Sequence, residues 1–181
     1  MSCYLIDTAS FWAVVGVVLG FVLGEGSRLV RHWFRIARLK RLVRDELVSI
    51  RMQIPQKREI VGNMIASLDQ RKVLPGISVS AVNTGYRHHI SELYEHLSII
   101  QRNCLHVIHE HLRVSDDIVN RFVDDFQVAM RDKVLADPFV AFKSMLNEIE
   151  RSYRTVDTLI TSYLANKPID VFGLKAGAGK K

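Results

Sequence analysis

Residues Ala9 to Leu23 read ASFWAVVGVVLGFVL, an almost unbroken apolar run near the N-terminus of a chain of 181 residues. A helix needs about 20 mainly apolar residues to cross the hydrocarbon layer of a bilayer. Extending the run back to Cys3 gives that length, with Tyr4 and Trp12 placed as interfacial aromatic residues. The stretch therefore predicts a transmembrane helix.

The positive charge of the chain is concentrated directly after this run. Residues 25–44 carry seven Lys or Arg and one acid, whereas residues 45–174 carry fifteen bases and seventeen acids. Because Lys and Arg beside a membrane helix stay in the cytoplasm, we predict a single pass through the inner membrane with the N-terminus outside. The basic side chains either face anionic lipid or line a cytoplasmic vestibule; they are Arg28, Arg31, Arg35 and Arg38.

Two other interpretations of the apolar run compete with the membrane span. A secretory signal peptide carries positive charge before its apolar core and a small-residue cleavage site after it, and this sequence has neither. The buried core helix of a soluble protein can also be apolar all round. The sequence alone leaves this second interpretation open.

Three glycines recur at four-residue spacing inside the run: Gly16, Gly20 and Gly24. Residues four apart lie on one helix face, and small residues there let two helix backbones approach closely. The pattern predicts that the chain self-associates in the bilayer as a homo-oligomer.

Apolar residues continue at steps of three and four after Gly26, and no strand-like alternation of useful length appears. We predict an all-α fold, in which the transmembrane helix continues into a cytoplasmic helical bundle. The predicted parts are a short outer N-terminus with the transmembrane helix (1–26), a basic juxtamembrane helix (27–54), the bundle (55–166) and a flexible tail (167–181).

Local signals set the predicted helix boundaries. Pro55 predicts that the first helix ends near Ile54, because proline lacks the amide hydrogen that the helix needs. A second helix then covers residues 56–71, and residues 73–86 form a structured loop or short helix. Three helix starts follow from capping residues: Ser98 with Gln101, Ser115 followed by two aspartates, and Asp137 with Pro138.

Six of the seven histidines fall between residues 88 and 111. Two sets share helix faces: His88, Glu92 and His96 in one, and His106 and His109 in the other. Two facing helices with such residues could bind a first-row metal. The Glu-x-x-His pair of di-iron bundles and the HExxH motif are both absent, so we predict no metal and no cofactor, and interpret the histidines as a solvated or interface face.

A second group of polar residues lies in the same region: Arg102, Asn103 and His109. Six residues separate Arg102 from His109. An Arg followed by a His after four to six residues resembles the motif of HEPN domains, all-helical bundles that often act as dimeric ribonucleases. The resemblance implies that His109 is a general acid or base and that Arg102 binds the phosphate. Asn103 is the polar residue that follows the Arg.

The whole layout, a short membrane-anchored helical chain with this motif, resembles the small membrane accessory proteins of type VI-B CRISPR systems. That resemblance implies a divergent HEPN-like domain, assembly into a membrane pore, and a role in antiphage defence beside a cytosolic effector. Two other functions remain open: a membrane-tethered scaffold for a cytosolic partner, and a HEPN-like ribonuclease or RNA-binding protein. No nucleophile elbow or phosphate loop is present, so a conventional enzyme is not predicted.

Overall fold

The computed structural model describes residues 8–79, 84–133 and 135–167, and every regular element in these ranges is helical. The helices are α1 (Thr8–Asp69), α2 (Thr84–Leu93), α3 (Ile99–Asp132) and α4 (Pro138–Leu164), with a 3-10 turn at Tyr94–His96. The predicted all-α class is confirmed. Residues 1–7 of the predicted outer segment and residues 168–181 of the predicted tail lie outside the described ranges. The chain divides into two compact units, 1–41 and 42–181.

Helix α1 does not end at Ile54, so that predicted boundary is wrong. It runs through Pro55 to Asp69 and includes most of the predicted second helix. Pro55 has no N–H, so the carbonyl of Arg51 loses its helical partner. Both residues are exposed, so water can satisfy this carbonyl. Burial outweighs the missing bond, because one buried stripe continues across the proline at steps of three and four: Leu47, Ile50, Ile54, Lys57, Val61, Met64 and Leu68.

Residues 72–79 connect α1 to α2 without regular structure, as predicted for the first part of this loop. The predicted loop also covers residues 80–83, which lie outside the described ranges, and its last residues belong to α2. The described segment passes close to its neighbours, since a Cβ at Gly76 would collide with Met64 and would lie 3.0 Å from Val119 Cγ1. The segment thus crosses α1 and α3 so closely that a side chain at position 76 would require Met64 to move.

The capping box that opens α3 is confirmed. Gln101 N donates to Ser98 Oγ at 3.2 Å, and Ser98 N donates to Gln101 Oε1 at 3.0 Å. The predicted new helix at Ser115 is wrong, because α3 continues to Asp132. Ser115 and Asp116 are buried in the middle of α3, where their side chains bond to other parts of the fold instead of capping a helix end.

The predicted start of α4 is also confirmed. Asp137 Oδ1 accepts a hydrogen bond from Phe139 N at 2.9 Å, and Pro138 occupies the first turn. Helices α3 and α4 pack along their lengths, with a cluster of phenylalanine rings at one end in edge-to-face contact. Arg44 Nη2 donates to the carbonyl of Leu164 at 3.0 Å and so satisfies a group at the end of α4.

Candidate functional site

The N-terminal part of α1 is long and apolar enough to cross a membrane by length and composition, and among the described residues no other helix meets this test. None of its most apolar stretch is buried. Trp12 is 68% exposed and Leu23 is 71% exposed. A soluble protein would hide such side chains in its core, so the exposure disfavours the buried-helix interpretation.

The structure places Gly16, Gly20 and Gly24 on one exposed face of α1. A Cβ added to any of the three would meet nothing within 4 Å. Packing among the described residues therefore gives no reason for glycine at these positions. The open face leaves room for the backbone of another helix.

The four predicted basic side chains all lie exposed on the following turns of α1. Arg28 Nη1 donates to Glu25 Oε1 at 2.9 Å, and Arg31 Nη2 donates to Ser27 Oγ at 3.2 Å. At about 100° per residue, Arg28, Arg31, Arg35 and Arg38 fall on one side of the helix. Exposed apolar residues occupy the other side: Leu29, Val30 and Trp33. This part of α1 is amphipathic.

The predicted pair Arg102 and His109 lies on α3, two helical turns apart. Arg102 is partly buried; its Nε donates to the carbonyl of Leu97 at 3.0 Å, and its guanidinium lies 4.0 Å from the centre of the Tyr94 ring. His109 is buried and stacks on the ring of Tyr86, with centroids 4.0 Å apart. Asn103 is exposed. Arg102 and His109 thus contact different residues of the fold: Arg102 contacts Leu97 and Tyr94, and His109 contacts Tyr86.

We expect wild-type protein and His109→Ala to cleave RNA at indistinguishable rates in a fluorescent single-stranded RNA assay. A general acid or base must reach the proton that it transfers, and burial both shields the imidazole of His109 and lowers its pKa to about 4, with Arg87 adding to the effect. Arg102→Ala serves as the second variant. Cleavage by the wild type that is lost in both variants would establish the HEPN-like site instead.

The predicted histidine face shows no metal centre in the described part of the chain, where no group of three or more His, Cys, Asp or Glu side chains is placed to hold an ion. His88, Glu92 and His96 do not form such a group, nor do His106 and His109. Instead, His111 Nδ1 lies 2.8 Å from Ser152 Oγ, so this imidazole bonds across to α4.

Sequence reasoning missed a buried ionic cluster centred on Asp116. One oxygen, Oδ1, accepts three hydrogen bonds: from Lys57 Nζ at 2.7 Å, from Ser78 Oγ at 2.7 Å and from Tyr153 OH at 2.9 Å. The side chains of Lys57 and Asp116 are each 5% exposed. Burial raises the pKa of Tyr153, and the neighbouring Asp116 carboxylate raises it further, so its hydroxyl stays protonated and donates.

The cluster joins α1, α3, α4 and the loop at residues 72–79. Lys57 Nζ also donates to Ser78 Oγ at 2.8 Å and to the carbonyl of Val79 at 2.6 Å. The side-chain amide of Asn120 makes two hydrogen bonds to the backbone of Ser78. Its Oδ1 accepts from the N–H of Ser78 at 2.8 Å, and its Nδ2 donates to the carbonyl of Ser78 at 3.1 Å. Because the ammonium of Lys57 has acceptors for its three hydrogens, it acts as a structural cation.

A signal for this cluster was present in the sequence. Lys57 occupies a position in the apolar repeat of α1, between Ile54 and Val61, where a buried side chain is expected. A charged residue in such a position requires a buried partner of opposite charge. The partner itself could not be found this way, because Asp116 follows a serine and resembles a residue in the first turn of a helix.

Comparisons with known proteins give no relative. No protein-family model matches the chain, no curated protein matches it, and no solved structure matches it. Over the residues that the structure describes, the chain is all-helical and has one candidate membrane-spanning helix.

Proposed function

We propose that this chain is a single-pass protein of the inner membrane, with its N-terminus outside and the unit formed by residues 42–181 in the cytoplasm. The apolar stretch of α1, none of which is buried, supports the span, because lipid would cover it. The basic turns that follow support the orientation, since Lys and Arg remain on the cytoplasmic side. Membrane lipids are then the first partner of the chain.

The protein assembles as a homo-oligomer through the glycine face of α1 and acts as a pore or membrane-perturbing effector. The observation that carries this proposal is the spacing of Gly16, Gly20 and Gly24, which places all three on one exposed face of α1. Transmembrane helices associate where small residues allow backbones to meet. The resemblance to membrane accessory proteins of type VI-B CRISPR systems adds a role in antiphage defence beside a cytosolic effector.

A membrane-tethered scaffold is the second candidate, and exposed apolar residues in the cytoplasmic unit favour it. Ile77 is 77% exposed and Val79 is 76% exposed, although Ser78 between them is firmly bonded to α3. These two side chains offer an apolar contact to a cytosolic partner. A scaffold would bind its cytosolic partner there without changing the permeability of the membrane.

Membrane potential in expressing cells separates the two functions. A pore dissipates the potential, which a voltage-sensitive dye reports, whereas a scaffold leaves it unchanged. The mass of the detergent-purified particle tests whether the chain assembles into an oligomer, which a pore requires. A strictly monomeric particle at micromolar concentration would rule out the pore.

Replacing Gly16, Gly20 and Gly24 together by leucine is expected to convert the oligomer to smaller species and to restore the membrane potential. The three side chains fill the face through which the backbones approach. The matched control is the triple change of Val14, Val18 and Val22 to leucine, which has the same spacing on the opposite side of α1 and should retain assembly. Equal oligomer mass in both triple variants would show that the glycines play no part in assembly.

A further inference from the structure

Glu46 of α1 and His109 of α3 face each other inside the unit formed by residues 42–181. Each side chain is 6% exposed, and 3.6 Å separates Glu46 Oε1 from His109 Nε2. Neither of these two atoms has a hydrogen-bond partner among the described residues. Buried polar atoms without partners are rare in native proteins, and each one requires an explanation.

Helix α2 forms the third side of this site. Tyr86 N donates to Glu46 Oε2 at 3.0 Å, and the Tyr86 ring stacks on the His109 ring. A Cβ at Gly85 would lie only 2.5 Å from Glu46 Oε2, so the absence of a side chain there lets the carboxylate reach the first turn of α2. The carboxylate and the imidazole therefore lie where α1, α2 and α3 meet.

An ionised carboxylate can only accept, and a neutral imidazole with its single proton on Nδ1 can only accept at Nε2. In that state Glu46 Oε1 and His109 Nε2 are two facing acceptors, and one added proton on Glu46 Oε1 gives both atoms a partner. The protonated carboxyl then donates a hydrogen bond to His109 Nε2, and the pair is uncharged. We propose that Glu46 and His109 form a buried proton-binding pair that takes up one proton on mild acidification while α2 stays docked.

The surroundings of the pair favour its uncharged form. Burial raises the pKa of Glu46, although backbone hydrogen bonds from Tyr86 and Gly85 oppose this. Burial also lowers the pKa of His109 to about 4, with Arg87 of α2 and His106 of α3 adding to the lowering and Glu110 of α3 opposing it. Both groups are thus neutral over a wider pH range than they would be in water.

The two pKa shifts have opposite consequences for stability. Glu46 has a folded pKa above 4.5, so its contribution is present at low pH and is lost as the pH rises through the folded value. His109 has a folded pKa below 6.5, so its contribution is present above 6.5 and is lost as the pH falls to about 4. On acidification the two contributions therefore oppose each other, because that of His109 is lost while that of Glu46 is gained.

Amide hydrogen exchange of α2 in the detergent-solubilised full chain tests this pair, with protection factors measured from pH 6.5 to 4.5. In the wild type we expect protection to change less steeply with pH than in either single variant, because the two contributions oppose each other. Glu46→Gln keeps an acceptor for Tyr86 N and a donor that faces His109 Nε2, but it removes the titrating carboxylate. Protection should therefore fall by up to about tenfold per pH unit on acidification. His109→Gln leaves Glu46 as the titrating group, and protection should rise instead.

Asp124→Asn is the matched control, since Asp124 is exposed on the same helix about four turns from His109 and the change again replaces a carboxylate by an amide, so it should behave as the wild type. Wild-type protection that falls as steeply as that of Glu46→Gln would overturn the proposal, as would a Glu46→Gln profile as flat as the wild type. If His109→Gln does not fold, the comparison of Glu46→Gln with the wild type still decides. The measurement requires no membrane activity, so its result is independent of the proposed pore.

Discussion

Replacing Asp116 with alanine is expected to lower the free energy of unfolding by about 3–5 kcal/mol, the cost of removing one partner from a buried ion pair. The change leaves the ammonium of Lys57 buried without its carboxylate, and it also removes the acceptor of Ser78 and Tyr153. Loss of stability of this size exceeds what most single substitutions cause. Urea unfolding of the detergent-solubilised protein, followed by circular dichroism, measures it.

Asp117→Ala is the matched control, because this neighbour is exposed and pairs only at the surface with Arg121 at 2.7 Å. Exposed pairs of this kind contribute less than about 1 kcal/mol. The double variant Lys57→Met with Asp116→Leu should recover part of the loss, since neither charge is then left alone. Equal stability of Asp116→Ala and Asp117→Ala would contradict the structural role of the cluster.

Introducing arginine at Leu19 is expected to reduce the membrane-bound fraction of the protein strongly. Leu19 lies in the middle of the apolar run, and a charged residue at the centre of a transmembrane helix costs about 2.5–3.5 kcal/mol of insertion free energy. A cost of this size lowers the insertion equilibrium roughly 100-fold. Immunoblots of carbonate-washed membranes and of the soluble fraction measure the distribution.

Val140→Arg is the control, because Val140 is an exposed apolar residue of α4 in the other unit and should leave membrane binding unchanged. Recovery of the wild-type chain in the soluble fraction without detergent would contradict the membrane span itself. Retention of Leu19→Arg in carbonate-washed membranes at the wild-type level would show that this part of α1 does not cross the hydrocarbon layer.

Local sequence signals predicted the helix class and two of the helix starts. Ser98 with Gln101 and Asp137 with Pro138 work through atoms a few residues apart, so the chemistry that caps the helix is readable from the sequence. The apolar run likewise predicted a helix long enough to cross a membrane. Membrane crossing, orientation and assembly remain predictions.

The errors have a common physical cause. Pro55 and Ser115 are local signals for a helix end and a helix start, but long-range burial overrides both of them. The stripe of α1 continues past the proline, and the buried contacts of Ser115 and Asp116 with distant segments hold α3 together through a position that resembles a cap. Contacts between residues far apart in the chain are not encoded in spacing.

The residues of the candidate site were likewise predictable where local spacing decides their position and not where distant contacts do. The glycine and arginine positions on α1 could be placed on helix faces from spacing alone. The burial of His109 against Tyr86 and Glu46 could not, because its partners come from α2 and α1. For the same reason the motif that links Arg102 to His109 gave no information about whether the imidazole is accessible.

The single oxygen of Asp116 that serves three donors makes the residues around it mutually dependent. A lineage that loses the lysine at position 57 would keep a buried carboxylate without its cation. One that loses the aspartate at position 116 would keep a buried ammonium without its anion. Single replacements at either place should therefore be purged by selection. In a future set of related sequences, we expect positions 57 and 116 to change together or not at all.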